Sequence, residues 1–203
     1  MIDAPTREEL AQTAAAMAAG LAGDPGWQHV VPDDGARRLA LRTLLGQALR
    51  IGHADGTTLV VREQGIVGGI VWAAPEGYPP RKIRQLPAMP RMLALATRIG
   101  PITVRELGRF GRAIDRAFPT DPVWYVQALS VAPAAQGRGL GSALLGPVLA
   151  KADATSTPCY LETSQDANLG YYERFAFRVL DAEPVYPGGP VLWRMRREPH
   201  TAT

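Results

Sequence analysis

The chain has almost no cysteine. Cys159 stands alone among 203 residues, so no internal disulfide can form. Such usage suits a reducing compartment, and a cytoplasmic location is expected. Histidine is nearly as scarce: His29, His53 and His200 are scattered and far from Cys159 in sequence, so no metal site is expected. No apolar run approaches the roughly 20 residues that span a bilayer. MIDAPTREEL has no basic segment leading into an apolar one, so no secretory signal is expected either. Internal repeats and low-complexity tails are also missing. What remains is ordinary globular material, 46% apolar and 20% charged, sufficient for one core. A single domain over 1–203 is expected at this length.

The net charge of +3 is small, but its distribution is uneven. Between Arg81 and Arg116 nine Lys or Arg face two acids, Glu106 and Asp115; that segment carries +7 and the rest of the chain −4. A basic segment attracts anions. Arg105, Arg109, Arg112 and Arg116, at helical spacing, equally make an ordinary solvated face. Neither nucleic acid nor a membrane is expected as a partner; a monomer or homodimer is.

Thr6 and Glu9 have capping-box spacing, so the alanine-rich run to Leu21 predicts a helix, which GDPG breaks. Asp33 or Asp34 caps a second helix to about Ile51, with Leu41, Leu45 and Leu49 on its apolar stripe. TTLVVR and GIVGGIVWA predict a hairpin, and PEGYPP ends that sheet segment because proline cannot donate to a ladder. Two amphipathic helices follow, split near Gly100-Pro101. Met89, Met92 and Ile99 mark the first; Leu107, Phe110 and Ile114 mark the second. VWYVQALSV is apolar on both faces and predicts a central strand. A helix to about Ala154, the strand PCYLETS and a short helix in ANLGYYERF come next. The closing strands Arg178 to Val185 and Val191 to Arg196 are joined by PGGP.

One stretch resists this bland description. In VAPAAQGRGLGSALL, Gly137, Gly139 and Gly141 alternate where a helix begins, although glycine weakens a helix by about 1 kcal/mol. Strand, glycine turn and helix N-terminus together make an anion site, with unpaired amides pointing outward and the helix dipole adding positive potential. A P-loop would need Lys and then Ser or Thr, but Ser142-Ala143 follows Gly141. A dinucleotide loop would start directly after the strand, yet Ala132 to Gln136 intervene and Ser142 stands where the third glycine belongs. The dinucleotide reading therefore ranks low, and coenzyme A is the third candidate. Gln136-Gly137-Arg138-Gly139-Leu140-Gly141 resembles Q/R-x-x-G-x-G/A, the pyrophosphate motif of the GCN5-related N-acetyltransferase (GNAT) superfamily. NLGYYERFAF resembles that family's downstream tyrosine segment. GRGLGSALL, CYLETS, NLGYYERF and PGGPVLWRM together look most like its puromycin N-acetyltransferase-like group.

The resemblance implies an α/β GNAT fold: a mixed central sheet of about six to seven strands flanked by helices, with two extra helices inserted before the fourth strand. It implies acetyl-CoA as co-substrate and no metal. Backbone of Leu129, Ser130 and Val131 would pair with the pantetheine arm, and a bulge at Ala128 to Ser130 would splay the strands. Gln136, Gly137, Gly139, Leu140, Gly141 and Ser142 would hold the pyrophosphate, Arg138 adding charge. Tyr172 aligns with the family's general acid, Tyr171 with the packing aromatic beside it, and Asn168 with a cofactor contact that can equally be a helix cap. Alternation in PCYLETS puts Tyr160 and Glu162 on one face, and a carboxylate on a central strand is costly unless used. Glu162 is therefore the candidate base, while Cys159 is apolar filler. Trp72, Tyr78, Trp124 and Tyr125 are candidates to line the acceptor side, under a lid of the inserted helices. The expected activity is acetyl transfer to a primary amine of a small molecule; the alternative is an acyl-CoA sensor without turnover. Two departures stand out. Ala176 replaces the family's usual glycine, and only Met1 to Pro5 is available for the first strand.

Overall fold

The computed structural model describes residues 1–75, 77–79 and 86–200. Arg81, Lys82 and Arg84 of the basic run, and Glu76 and Pro80 of PEGYPP, lie outside the described residues.

The first strand is two residues long, β1 (Ile2–Asp3). Helix α1 (Leu10–Leu21) follows a partial capping box, in which the Thr6 N–H donates to Glu9 Oε2 at 2.7 Å. GDPG does break it, but the chain restarts at once. Asp24 accepts from the Trp27 amide and Pro25 occupies the first helical position, giving the six-residue α2 (Pro25–Val30). Helix α3 (Asp34–Asp55) is capped by Asp33, which accepts from the Ala36 amide. It runs past Ile51 because Gly56, at φ 66°, supplies the left-handed stop. The hairpin β2 (Thr58–Arg62) and β3 (Ile66–Ala73) is antiparallel as predicted. The two inserted helices are the halves of α4 (Met89–Ala117), which break at Gly100, at φ 78° and ψ 162°, just before Pro101, as the sequence predicted. Then come β4 (Trp124–Val131), α5 (Leu140–Ala154), β5 (Cys159–Thr163), α6 (Leu169–Glu173), β6 (Arg178–Pro184) and β7 (Val191–Arg197).

The seven strands lie in the order β1-β2-β3-β4-β5-β7-β6. Only β4 and β5 are parallel neighbours; every other pair is antiparallel. Strand β4 is therefore central, as its two apolar faces predicted. One face of the sheet packs on α5 through Leu144, Leu145 and Val148 with Ile70, Leu161 and Met195. The other receives α1 and α3, with Met17, Leu41 and Leu49 over Val71. Burying each such side chain contributes about 1.5–3 kcal/mol. A Cβ at Gly20 would collide with Ser130 Oγ and the Val131 carbonyl, so only glycine lets α1 press this closely on β4. Helix α4 covers α2 and α3, with Leu95 and Phe110 packing on Val30, Val31 and Leu192. Among the described residues no helix is long and apolar enough to cross a membrane.

Two features fix the site. Strand β4 is bulged against β3 at Gln127, since Val71 pairs with Ala128 and Trp72 with Val126. The irregularity thus lies just before the expected Ala128 to Ser130, all of which keep regular register with β3 or border it. Strands β4 and β5 pair only at Trp124–Cys159 and Tyr125–Tyr160. Beyond Tyr125 they part.

Candidate active site

The parting opens a cleft of about 730 Å³, lined by Leu129, Ser130 and Val131 on β4 and by the glycine loop. Gly137 and Gly139 both sit at φ 75°, a left-handed conformation costing other residues roughly 1–2 kcal/mol. A Cβ at either would meet nothing within 4 Å, so the loop is left open to a ligand. Gly139 is the residue at which α5 begins, and its side-chain-free N-terminus leaves the first helical amides uncapped. A diphosphate has the donors it needs here. Gln136 lines the cleft and donates from Nε2 to the Val131 carbonyl at 2.9 Å, tying loop to strand. Leu140, Gly141 and Ser142 complete this wall. Arg138 does not join it. Its guanidinium forms a two-pronged ion pair with Glu63, at 2.6 and 2.9 Å.

Helix α6 forms the opposite wall. Tyr172 lines the cleft and is 8% exposed, its ring packed edge-on against Tyr171 at 5.0 Å and against Phe177 at 5.8 Å. Its hydroxyl makes no hydrogen bond among the described residues. Burial raises its pKa well above that of a free phenol, so it is protonated at neutral pH. Tyr171 packs beside Gly141, its hydroxyl 3.1 Å from where a Cβ there would stand. Asn168 lines the cleft without capping α6; its Nδ2 donates to Thr163 Oγ1 at 3.2 Å. Arg174, not singled out in the sequence, also lines the cleft and stacks over the Tyr171 ring at 5.5 Å. Asp24 was missed too. It closes the far end of the cleft, accepting from Ser164 Oγ at 2.5 Å as well as capping α2.

Glu162 projects from the other face of β5. Tyr125 donates to its Oε2 at 2.8 Å and Tyr160 to its Oε1 at 3.0 Å. Burial raises the carboxyl pKa, and the two phenol donors partly oppose the rise. Arg194 is its cross-strand neighbour, but Arg194 is committed to Asp181 at 2.5 Å. Tyr78, Phe118, Tyr125 and Tyr160 form an aromatic cluster here, with ring centroids 4.8–5.9 Å apart. Tyr78 donates to Asp115 at 2.9 Å, tethering α4 to this cluster. Of the four proposed acceptor-side aromatics, Tyr78 and Tyr125 are therefore brought together. Trp72 and Trp124 are not, because alternation points them to the opposite face. Trp72 is 2% exposed within the core, and Trp124 donates to Thr155 at the end of α5. Tyr160 and Phe118 take their place. Cys159 is fully buried and its thiol is pushed up to about 12 by burial, which makes it filler.

The chain matches the Acetyltransferase (GNAT) family over residues 31–177. It belongs to that family. The GNAT chain is an acyltransferase, of a family that takes acetyl-CoA as co-substrate. Solved structures share its fold along nearly the whole length. A histone acetyltransferase HPA2 and related acetyltransferase from Corynebacterium glutamicum is 22% identical, covering 100% of this chain and 98% of that one, with a TM-score of 0.71. Arylalkylamine N-acetyltransferase 2 from Aedes aegypti is 11% identical over 98% and 99% of the chains, with a TM-score of 0.66. A polyamine N-acetyltransferase from Drosophila melanogaster is 16% identical over 98% and 99%, with a TM-score of 0.59.

Proposed function

We propose that this acyltransferase moves an acetyl group from acetyl-CoA to the primary amine of a small molecule. The observation that carries the proposal is the cleft: the open glycine cradle, the unpaired stretch of β4 and the Tyr172 ring line one cavity. The residues fit coenzyme A, with amides 137–142 against its diphosphate and Arg174, rather than Arg138, placed to add positive charge. When bound, the thioester supplies the activated acyl group. Tyr172 and Glu162 lie on opposite faces of β5, so the amine reaches the split from the Glu162 side. Glu162, directly or through water, takes the proton that the ammonium must lose before the neutral amine can attack. As the N–C bond forms and the C–S bond breaks, Tyr172 donates its hydroxyl proton toward the departing sulfur. A buried phenol, still protonated at neutral pH, is in the form that an acid requires.

The aromatic cluster around Glu162 suits an acceptor with an apolar or aromatic body. The likeness to the puromycin N-acetyltransferase-like group supports the same class, as does the structural neighbour named for arylalkylamines; the neighbour named for polyamines supports only a small amine acceptor. A thiol-release assay with acetyl-CoA against puromycin, arylalkylamines and agmatine tests this. Release with an aromatic amine is expected. Tight acetyl-CoA binding with no release across the panel would instead favour the sensor.

A further inference from the structure

A second groove lies between α1, α3 and the first half of α4, with a volume of about 530 Å³. It shares no residue with the acetyl-CoA cleft. Arg42 and Arg50, two turns apart on α3, line one side; Arg91 and Arg98, two turns apart on α4, line the other. Rises of 1.5 Å per residue separate each pair by about 10–12 Å along its helix. No acidic residue lines the groove among the described residues. None of the four guanidiniums pairs with a carboxylate among the described residues. Arg37, Arg62, Arg138, Arg194, Arg196 and Arg197, by contrast, each hold a carboxylate, and the unpaired arginines of α4's second half do not face one another across a groove with α3.

Arginine cannot shed its charge in a protein, so converging guanidiniums repel one another until an anion enters. The cost is visible at Arg50, where partial burial and the charge of Arg91 both act against the protonated form. Ala11, Ala14 and Ala94 line the groove beside Leu39, Thr43 and Leu95, and Gly46 lies beneath the Arg50 guanidinium, so the space between the arginines stays open. A single phosphate reaches one end of such a groove. A ligand with several linked phosphates reaches both and matches the planar, two-pronged donors.

We propose that this groove binds a small anion carrying several phosphates, held between Arg42 and Arg50 on α3 and Arg91 and Arg98 on α4. The anion is either a free oligophosphate or the headgroup of a phosphorylated lipid. The test is calorimetric titration of the full chain with inorganic tripolyphosphate at physiological salt. One-to-one uptake is expected, weakened about tenfold or more in R42Q/R50Q and in R91Q/R98Q, with acetyl-CoA affinity unchanged in both. Tripolyphosphate should also raise the unfolding midpoint of the unmodified protein, a readout that does not depend on the variants folding well. Vesicles of phosphatidylcholine with and without phosphatidylinositol bisphosphate separate the sources. Capture only by the phosphoinositide, reversed by tripolyphosphate, points to the headgroup; tripolyphosphate uptake without vesicle capture points to the free anion. No uptake, or uptake indifferent to all four substitutions, would overturn the proposal. So would duplex DNA binding more tightly than tripolyphosphate through the same arginines.

Discussion

The acetyl-CoA cleft and the Glu162 cluster are built by opposite means. The cleft's cradle is mostly backbone: Gly137 and Gly139 in left-handed geometry, and the uncapped first turn of α5. The cluster is entirely side chain, a half-buried carboxylate held by the hydroxyls of Tyr125 and Tyr160. A backbone site is damaged by adding atoms, since a Cβ both strains the turn and occupies ligand space. A side-chain site is damaged by removing them, since each lost donor leaves a buried acceptor unmet. Tyr172 belongs to the cleft, where no described residue engages its hydroxyl.

The largest expected effect is at that hydroxyl. Tyr172→Phe should lower kcat by about 10²-fold or more while leaving acetyl-CoA affinity close to normal, as steady-state rates beside calorimetry would show. Unchanged kcat would remove Tyr172 from the chemistry and leave the cleft a binding site only. Glu162→Gln comes next, with a loss of about 10²-fold expected at neutral pH. The pH profile sharpens the point. Only the ionised carboxylate accepts a proton, and burial raises its pKa above 4.5. The rate should therefore fall, on acidification, at a higher pH than an ordinary glutamate would give, and this acid limb should vanish in E162Q.

A smaller effect is expected in the cradle. Gly139→Ala forces a Cβ onto a residue at φ 75° and should weaken acetyl-CoA binding about tenfold, with kcat for bound substrate little changed. A variant that slowed turnover but bound normally would break the distinction between the two sites. The smallest effect lies outside both. Ala176 is at φ 64°, just after α6, where the family usually carries glycine. Ala176→Gly should raise stability by about 1 kcal/mol in denaturant unfolding without altering kinetics.

The same contrast explains what was legible. The cradle could be read because backbone requirements leave a mark in sequence: glycines at fixed spacing, a strand before them and a helix after. The β2–β3 hairpin, the central place of β4 and the break at Gly100 followed from equally local signals. The acceptor side could not be read as well. Strand β4 is apolar on both faces, so alternation did not say which of Trp124 and Tyr125 points toward Glu162. The register Tyr125–Tyr160, which brings both phenols to the carboxylate, belongs to two strands separated by a helix. The bulge at Gln127 likewise depends on how β3 pairs and leaves no mark in β4 alone. Helix α2 is too short to show a period, and Asp24 was hidden with it.

A crystal structure of the chain with acetyl-CoA is the most direct check. The diphosphate should lie within hydrogen-bond distance of the amides of residues 137–142, and the thioester sulfur within reach of the Tyr172 hydroxyl. Acetyl-CoA seated elsewhere, or a sulfur remote from Tyr172, would contradict it.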